Sequence, residues 1–338
     1  MTSDRRVLVV GGLGYVGNVL MRRLLDKSYS VRCADLAIYE NSGLAKAFRD
    51  EARFEYVPSD VRAVAGFDRM LDGATDLVLL AGLVGDPISK KYPLHSRQIN
   101  VEANQALIEA ARGRGVGRLI FVSTCSNYGL QTGSAPAAED AELKPLSVYA
   151  ENKVAVERFL LGGSWDFPFT ILRFATAFGL SPRMRFDLTV SEFTRELYLG
   201  RELVVYDADT WRPYCHVRDL SEAVRHVLEA PAAAVGGQVF NVGGDAGNHT
   251  KRSIVEIVRA RIPGARVRYR EHGSDPRNYR VDFSKIRATL GFEPRFRVAD
   301  GVEELLAALA RGEYADADAR PNFHGNRQIP LFDAEGNP

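Results

Sequence analysis

Cysteine and histidine are scarce in this chain. Its 338 residues hold three Cys (Cys33, Cys125 and Cys215) and six His, with no CxxC and no HxxxH pair. That spacing offers no framework for a disulfide scaffold or a zinc site, so no metal is expected, and scattered thiols suit a reducing compartment. Long apolar runs are missing too. The best candidate is broken by Gly11, Gly12, Gly14 and Gly17, well short of the ~18 residues of a membrane span, and the first residues lack the apolar core of a secretory leader. No membrane partner and a cytoplasmic location are therefore expected. An excess of either charge is also missing: 44 Lys and Arg stand against 43 Asp and Glu, a formal +1. No bulk field draws nucleic acid, so no nucleic-acid partner is expected, and an anionic ligand has to be met by locally placed groups. A hydrophobic share of 46% and a charged share of 26% exclude intrinsic disorder. The length passes the roughly 250 residues at which one core tends to divide.

Short β-branched runs alternate with helical patterns from the start. Val7–Val10, Val31–Ala34, Phe54–Val57, Leu77–Leu80, Leu119–Val122 and Phe169–Leu172 read as strands. Apolar residues at helical spacing fall near Asn18–Leu25, Asp68–Leu71, Val101–Ala111 and Val148–Leu161. This predicts an α/β fold, a Rossmann-type doubly wound parallel sheet, over residues 1–179. The rhythm then changes. A helix at Leu188–Leu199, a strand at Leu203–Tyr206 and longer loops predict a smaller α/β substrate domain over 180–318. Segments near 214–217 and 238–243 are expected to return to the first domain. Residues 319–338, rich in Pro, Gly and Asn, are expected to form an extended tail.

Gly11-Gly-Leu-Gly14-Tyr-Val-Gly17 ends a strand and opens a helix. Positions without Cβ allow a tight turn, close approach of backbone N–H groups to a pyrophosphate, and tight helix–strand packing. A Gly-rich connector without a ligand is the bland alternative. Asp35 weighs against it, because it ends the second strand 18 residues past Gly17, where a carboxylate can accept from an adenosine ribose. Leu36, Ala37 and Ile38 follow with no base for a 2′-phosphate, which favours NAD over NADP. Asp60, after the third strand, could accept from the adenine amino group or simply form a turn. Tyr149-Ala-Glu-Asn-Lys153 puts a phenol and an ammonium on one helix face. A cation there lowers a tyrosine pKa from about 10 and makes the phenolate a usable general base. Alone, such a pair is common on solvated helices; Ser123-Thr124, ending the fifth strand, adds hydroxyls within reach of the same substrate oxygen.

With these features in order, the sequence resembles the extended short-chain dehydrogenase/reductase family, in its NAD-dependent nucleotide-sugar epimerase/dehydratase branch. The resemblance also rests on Ala81-Gly-Leu83, Asn100, Ser123-Thr-Cys-Ser-Asn-Tyr-Gly129, Leu172-Arg-Phe174 and Arg212-Pro-Tyr-Cys-His-Val-Arg-Asp219. It implies NAD contacts at Gly11, Gly14, Tyr15, Val16, Gly17, Asp35, Asp60, Val61, Ala81, Gly82, Leu83, Asn100, Ser123, Tyr149 and Lys153. It implies catalysis by Thr124, Tyr149 and Lys153, and contacts to a nucleotide-diphosphate sugar from Thr124, Ser126, Thr176, Arg185, Arg212 and Arg277. Asn100 matches an asparagine that holds active-site structure, with a solvent-bonded helix Asn as the alternative. A homodimer through helices 101–111 and 148–161 is implied as well.

The departures from the family pattern narrow the reading. Dehydratases of the family carry Asp-Glu after the catalytic Thr, and here Cys125-Ser126 stands there, with Cys125 read as a packing residue. Thr176 replaces the usual Asn of the segment after the sixth strand. Arg183 and Arg185, with Lys90 and Lys91, read as solvated by default, Arg185 being kept as a substrate candidate. The reading is an NAD-dependent epimerase. A 4-ketosugar reductase is its rival, and a non-catalytic NAD sensor is disfavoured by the intact Thr124, Tyr149 and Lys153.

Overall fold

The computed structural model describes residues 5–39, 42–131, 133, 135–273, 275–320 and 323. In chain order the first elements are β1 (Arg6–Val10), α1 (Tyr15–Asp26), β2 (Ser30–Asp35), β3 (Phe54–Pro58), α2 (Phe67–Leu71) and β4 (Asp76–Leu79). Then come α3 (Asp86–Lys91), α4 (Pro93–Arg97), α5 (Ala103–Ala110), β5 (Arg118–Thr124), α6 (Val148–Gly162) and β6 (Phe169–Phe174). The later part holds β7 (Thr176–Phe178), α7 (Thr189–Tyr198), β8 (Leu203–Tyr206), β9 (Trp211–His216) and α8 (Val217–Glu229). It closes with β10 (Gln238–Val242), β11 (Asn248–Thr250) and β12 (Val267–Arg270), followed by helices that include Val298–Ala310.

Seven parallel strands form one sheet in the order β10-β6-β5-β4-β1-β2-β3. This is the Rossmann-type α/β fold expected. Alternation along β1 shows why it is doubly wound. Val7 and Val9 pack with Leu20, Leu24, Leu220 and Val224 of α1 and α8 on one face. Leu8 and Val10 pack with Leu107, Ile108, Val156 and Leu160 of α5 and α6 on the other. A strand buried on both faces has to read as a continuous apolar run. The chain order reverses between β1 and β4, which opens a crevice beyond the carboxyl ends of the strands, the usual ligand position in such sheets.

The later elements build a separate core of Phe178, Val190, Phe193, Leu203, Val205, Ile254 and Val302, around the sheets β11-β9-β7 and β12-β8. Residues 238–242 are β10, hydrogen-bonded to β6 at the edge of the main sheet. Residues 214–216 end β9, which pairs with β7, and lead straight into α8, tied to α1 by an Arg23–Glu222 ion pair of 2.6 Å. Helix α1 starts at Tyr15, directly on the glycine turn, and a π-helical turn at Gln98–Glu102 precedes α5. Of the tail expected at 319–338, Phe323 packs edge-on against Phe186 and Tyr314; apart from residues 319, 320 and 323 that segment lies outside the described residues. Among the described residues no helix is long and apolar enough to cross a membrane.

Candidate active site

The crevice is a cavity of about 520 Å³. The glycine turn forms its floor. Gly11 adopts φ 86°, and a Cβ there would lie 2.6 Å from the Ala81 amide nitrogen; a Cβ on Gly17 would lie 2.5 Å from the Gly12 carbonyl oxygen. Only glycine fits either place. The amino end of α1 faces the cavity with no side-chain cap, which leaves its first N–H groups for an anion. At the end of β2, Asp35 accepts from the Leu13 amide at 2.9 Å and from the Ala37 amide at 2.7 Å. Burial raises its pKa, opposed by those two amides and by the charge of Arg183.

The predicted catalytic residues lie where β5 and α6 meet. Ser147 caps α6, its hydroxyl accepting from the Ala150 amide at 3.3 Å, so Tyr149 falls in the first turn and Lys153 one turn later. Thr124 ends β5 and starts the next turn, its Oγ1 accepting from the Ser126 amide at 3.1 Å and lying 2.7 Å from Ser126 Oγ. The Lys153 ammonium is buried and donates to the Val122 carbonyl at 2.7 Å. Burial lowers its pKa to about 8, against the charge of Glu157. Burial pushes the Tyr149 phenol up to about 12; Arg185 and Arg277 act against that shift and Asp86 adds to it. The expected lowering of the Tyr149 pKa is thus not seen in the protein alone, because desolvation of the phenolate outweighs the cations around it.

Every predicted site residue lines the cavity except Leu83 and Asn100. Those two sit behind the wall. Asn100, fully buried on the π-helical turn, accepts from the Leu83 amide at 2.7 Å and donates to the Leu83 carbonyl at 3.0 Å and to Ser96 Oγ at 3.2 Å. It holds the turn that follows β4, and its partners are protein, not solvent. The Ser123 hydroxyl is likewise committed inward, donating to Glu157 and accepting from Asn127 Nδ2. Tyr15 Oη donates to the Gly179 carbonyl at 2.5 Å. The Asp60 carboxylate is held by Arg62, with an ion pair of 2.7 Å. Cys125 is a packing residue, 1% exposed, its thiol donating to the Arg173 carbonyl at 3.2 Å.

Arg183 and Arg185 are not solvated, contrary to their default reading. They are 2% and 8% exposed and both line the cavity. Arg183 sits 4.4 Å over the ring of Tyr39, an arrangement that shelters the apolar faces of the guanidinium, and its charge acts against the burial that raises the Asp35 pKa. Arg185 pairs through two bonds with Asp187, one of 2.9 Å. Lys90 and Lys91 are exposed.

Arg212, 6% exposed, lies 5.1 Å over Tyr279 and 3.1 Å from Asp275. Arg277 pairs with Asp275 at 2.7 Å and with Asp86 at 2.9 Å. Neither Asp275 nor Asp86 is among the residues expected from the sequence. A signal existed: Asp275-Pro-Arg277 and Arg185-Phe-Asp187 place each acid two residues from its arginine.

A family model described as "NAD dependent epimerase/dehydratase family" matches residues 7–243. The chain belongs to this family. The family is NAD dependent, and NAD is the dinucleotide the glycine cradle and Asp35 are fitted to hold. The chain is 27% identical over 308 residues to a UDP-glucose 4-epimerase of Mycolicibacterium smegmatis, covering 89% of this chain and 97% of that protein. Its fold matches a Thermotoga maritima UDP-glucose 4-epimerase solved with UDP-glucose, at TM-score 0.80 and 22% identity over 91% of this chain and 99% of that one. It is equally similar to a dTDP-glucose 4,6-dehydratase of Streptomyces venezuelae solved with NAD, at TM-score 0.81 and 26% identity over 92% and 98%. Membership in the family makes the protein a nucleotide-sugar epimerase/dehydratase-type enzyme.

Proposed function

We propose that the protein is an NAD-dependent nucleotide-sugar epimerase that works through a transient ketose. The observation that carries this reading is the convergence of Thr124, Tyr149 and Lys153 on the same cavity as the glycine turn and Asp35. Bound there, NAD would supply a reversible hydride acceptor and a positively charged ring that favours the phenolate. Tyr149 Oη takes the proton of a sugar hydroxyl and gives it back once the ketose has presented its other face. Thr124 Oγ1 aligns that sugar oxygen, and Lys153 places its positive charge beside the nicotinamide ribose. Arg212 anchors the diphosphate with its guanidinium fork, so that only the sugar turns; Thr176 and Ser126 complete the wall.

The residues after Thr124 speak against dehydration. Cys125 is buried in the core and Ser126 carries no charge, so no acid–base pair stands beyond the catalytic Thr. A homodimer through α5 and α6, where Leu161 is 50% exposed, and a cytoplasmic location complete the reading; sedimentation of the purified protein checks the first.

The deciding experiment incubates the purified protein with UDP- and dTDP-hexoses without added cofactor. An epimeric sugar nucleotide with no net NADH supports epimerisation. Consumption of NADH or NADPH with a ketosugar makes it a reductase, and a 4-keto-6-deoxy product makes it a dehydratase.

A further inference from the structure

Asp86 belongs to the cavity wall, yet neither the motifs nor the family resemblance gives it a task. It follows Gly85, which takes φ 113°, and opens α3 in the loop after β4. Its Oδ2 reaches across the cleft to within 2.9 Å of Arg277 Nη2. Its Oδ1 is buried and has no hydrogen-bond partner among the described residues. Helix α3, which Asp86 opens, packs against α6, the helix that bears Tyr149, and Asp86, Arg277 and Tyr149 line the same cavity, which puts the pair at the end of the cavity where the reacting sugar must lie. A buried acceptor without a donor is costly, and a sugar hydroxyl is the group that would satisfy it.

The two guanidinium groups at this end are already matched. Arg277 faces Asp86 and Asp275, and Arg185 faces Asp187. Neither guanidinium near Tyr149 has an uncompensated charge to offer a second carboxylate. A uronic acid would bring its carboxylate beside Asp86 with no free guanidinium to meet it, in a site where water screens little.

We propose that Asp86 is a specificity-determining residue: it accepts a hydrogen bond from a hydroxyl of a neutral hexose and, by neutralising Arg277, excludes sugars that carry a carboxylate. This rests on the nucleotide-sugar reading above. It goes further by naming the sugar class and the residue that selects it.

The test compares UDP-glucose with UDP-glucuronate, which differ only at C6. Binding to the NAD-loaded Tyr149→Phe protein is measured by calorimetry, so that affinity is read without turnover. The expected result is a preference for UDP-glucose of about tenfold or more. Adding Asp86→Asn should shrink that ratio about tenfold by removing one of the two carboxylates on Arg277, and Asp86→Ser should do the same if the first variant loses its NAD. A ratio unchanged in both variants, or an initial preference for the uronate, overturns the assignment of Asp86 while leaving the nucleotide-sugar reading in place. If neither sugar nucleotide nor UDP binds the NAD-loaded protein, the nucleotide-sugar reading itself falls, and the inference with it.

Discussion

Glu157 and Arg173 form a buried ion pair directly behind the cavity wall that carries Ser123 and Lys153, 2.7 Å between Oε2 and Nη2, with side chains 1% and 4% exposed. The pair ties α6 to β6. Glu157 also takes the Ser123 hydroxyl and the Asn127 amide, so one carboxylate braces the helix bearing Tyr149 and the strand bearing Thr124. Removing one partner of such a pair leaves the other charge buried and unmatched. Glu157→Gln should therefore destabilise the protein by about 3–5 kcal/mol, read by urea unfolding. A loss below about 1 kcal/mol would show that the pair does not brace this wall.

Lys153 gives a pH dependence with a definite sign. Its folded pKa is about 8, below the ordinary value of about 10.4. The penalty for burying the ammonium is therefore fully present below pH 8. As pH rises from 8 toward ~10.4 the folded state sheds the proton first, and the penalty is relieved. The NAD-free protein should gain stability relative to Lys153→Met over that window. Parallel melting-temperature curves for the two proteins would contradict the burial of this charge.

Asp35 should govern cofactor affinity. Both its oxygens already accept backbone N–H groups, which hold the carboxylate oriented toward the cavity. Asp35→Ala removes an acceptor for two ribose hydroxyls and leaves the Leu13 and Ala37 amides without their partner. NAD affinity should fall about 10- to 100-fold, in the range for losing hydrogen bonds to a charged group. Titration by protein fluorescence measures it.

Tyr149→Phe keeps the ring and removes the proton acceptor. Turnover should drop by about 10²- to 10⁴-fold, the usual worth of a positioned acid–base group, while the NAD content of the purified protein stays unchanged. Near-normal turnover would remove Tyr149 from the mechanism.

Gly11→Ala tests the cradle. The new methyl group would sit 2.6 Å from the Ala81 backbone nitrogen at φ 86°, so the turn must shift. Loss of bound NAD with retained secondary structure by circular dichroism is the expected outcome.

The dinucleotide half of the site was legible in the sequence because each of its requirements is local. A glycine needs no distant partner to permit φ 86°, and Asp35 stands at the end of a strand whose apolar run marks it. The Tyr149–Lys153 spacing likewise follows from one helix. The charge matching across the cleft was not legible, since Asp86 and Arg277 meet only when the loop after β4 faces the segment after β12. Arg183 and Arg185 looked like solvated charges for the same reason: whether an arginine is buried depends on which ring or carboxylate another part of the chain delivers.

By itself the sequence determined the doubly wound sheet, the glycine cradle and the spacing of Tyr149 and Lys153 on one helix, since strand burial, helix spacing and Cβ-free turns are written in short stretches of chain. Tertiary structure alone decided the environment of those groups. Desolvation raises the Tyr149 phenol and lowers the Lys153 ammonium, and three carboxylates neutralise the arginines beside them. Low dielectric and close approach are properties of packed neighbours far apart in sequence. A chain with a net charge of +1 thereby builds a cleft dense in paired charges.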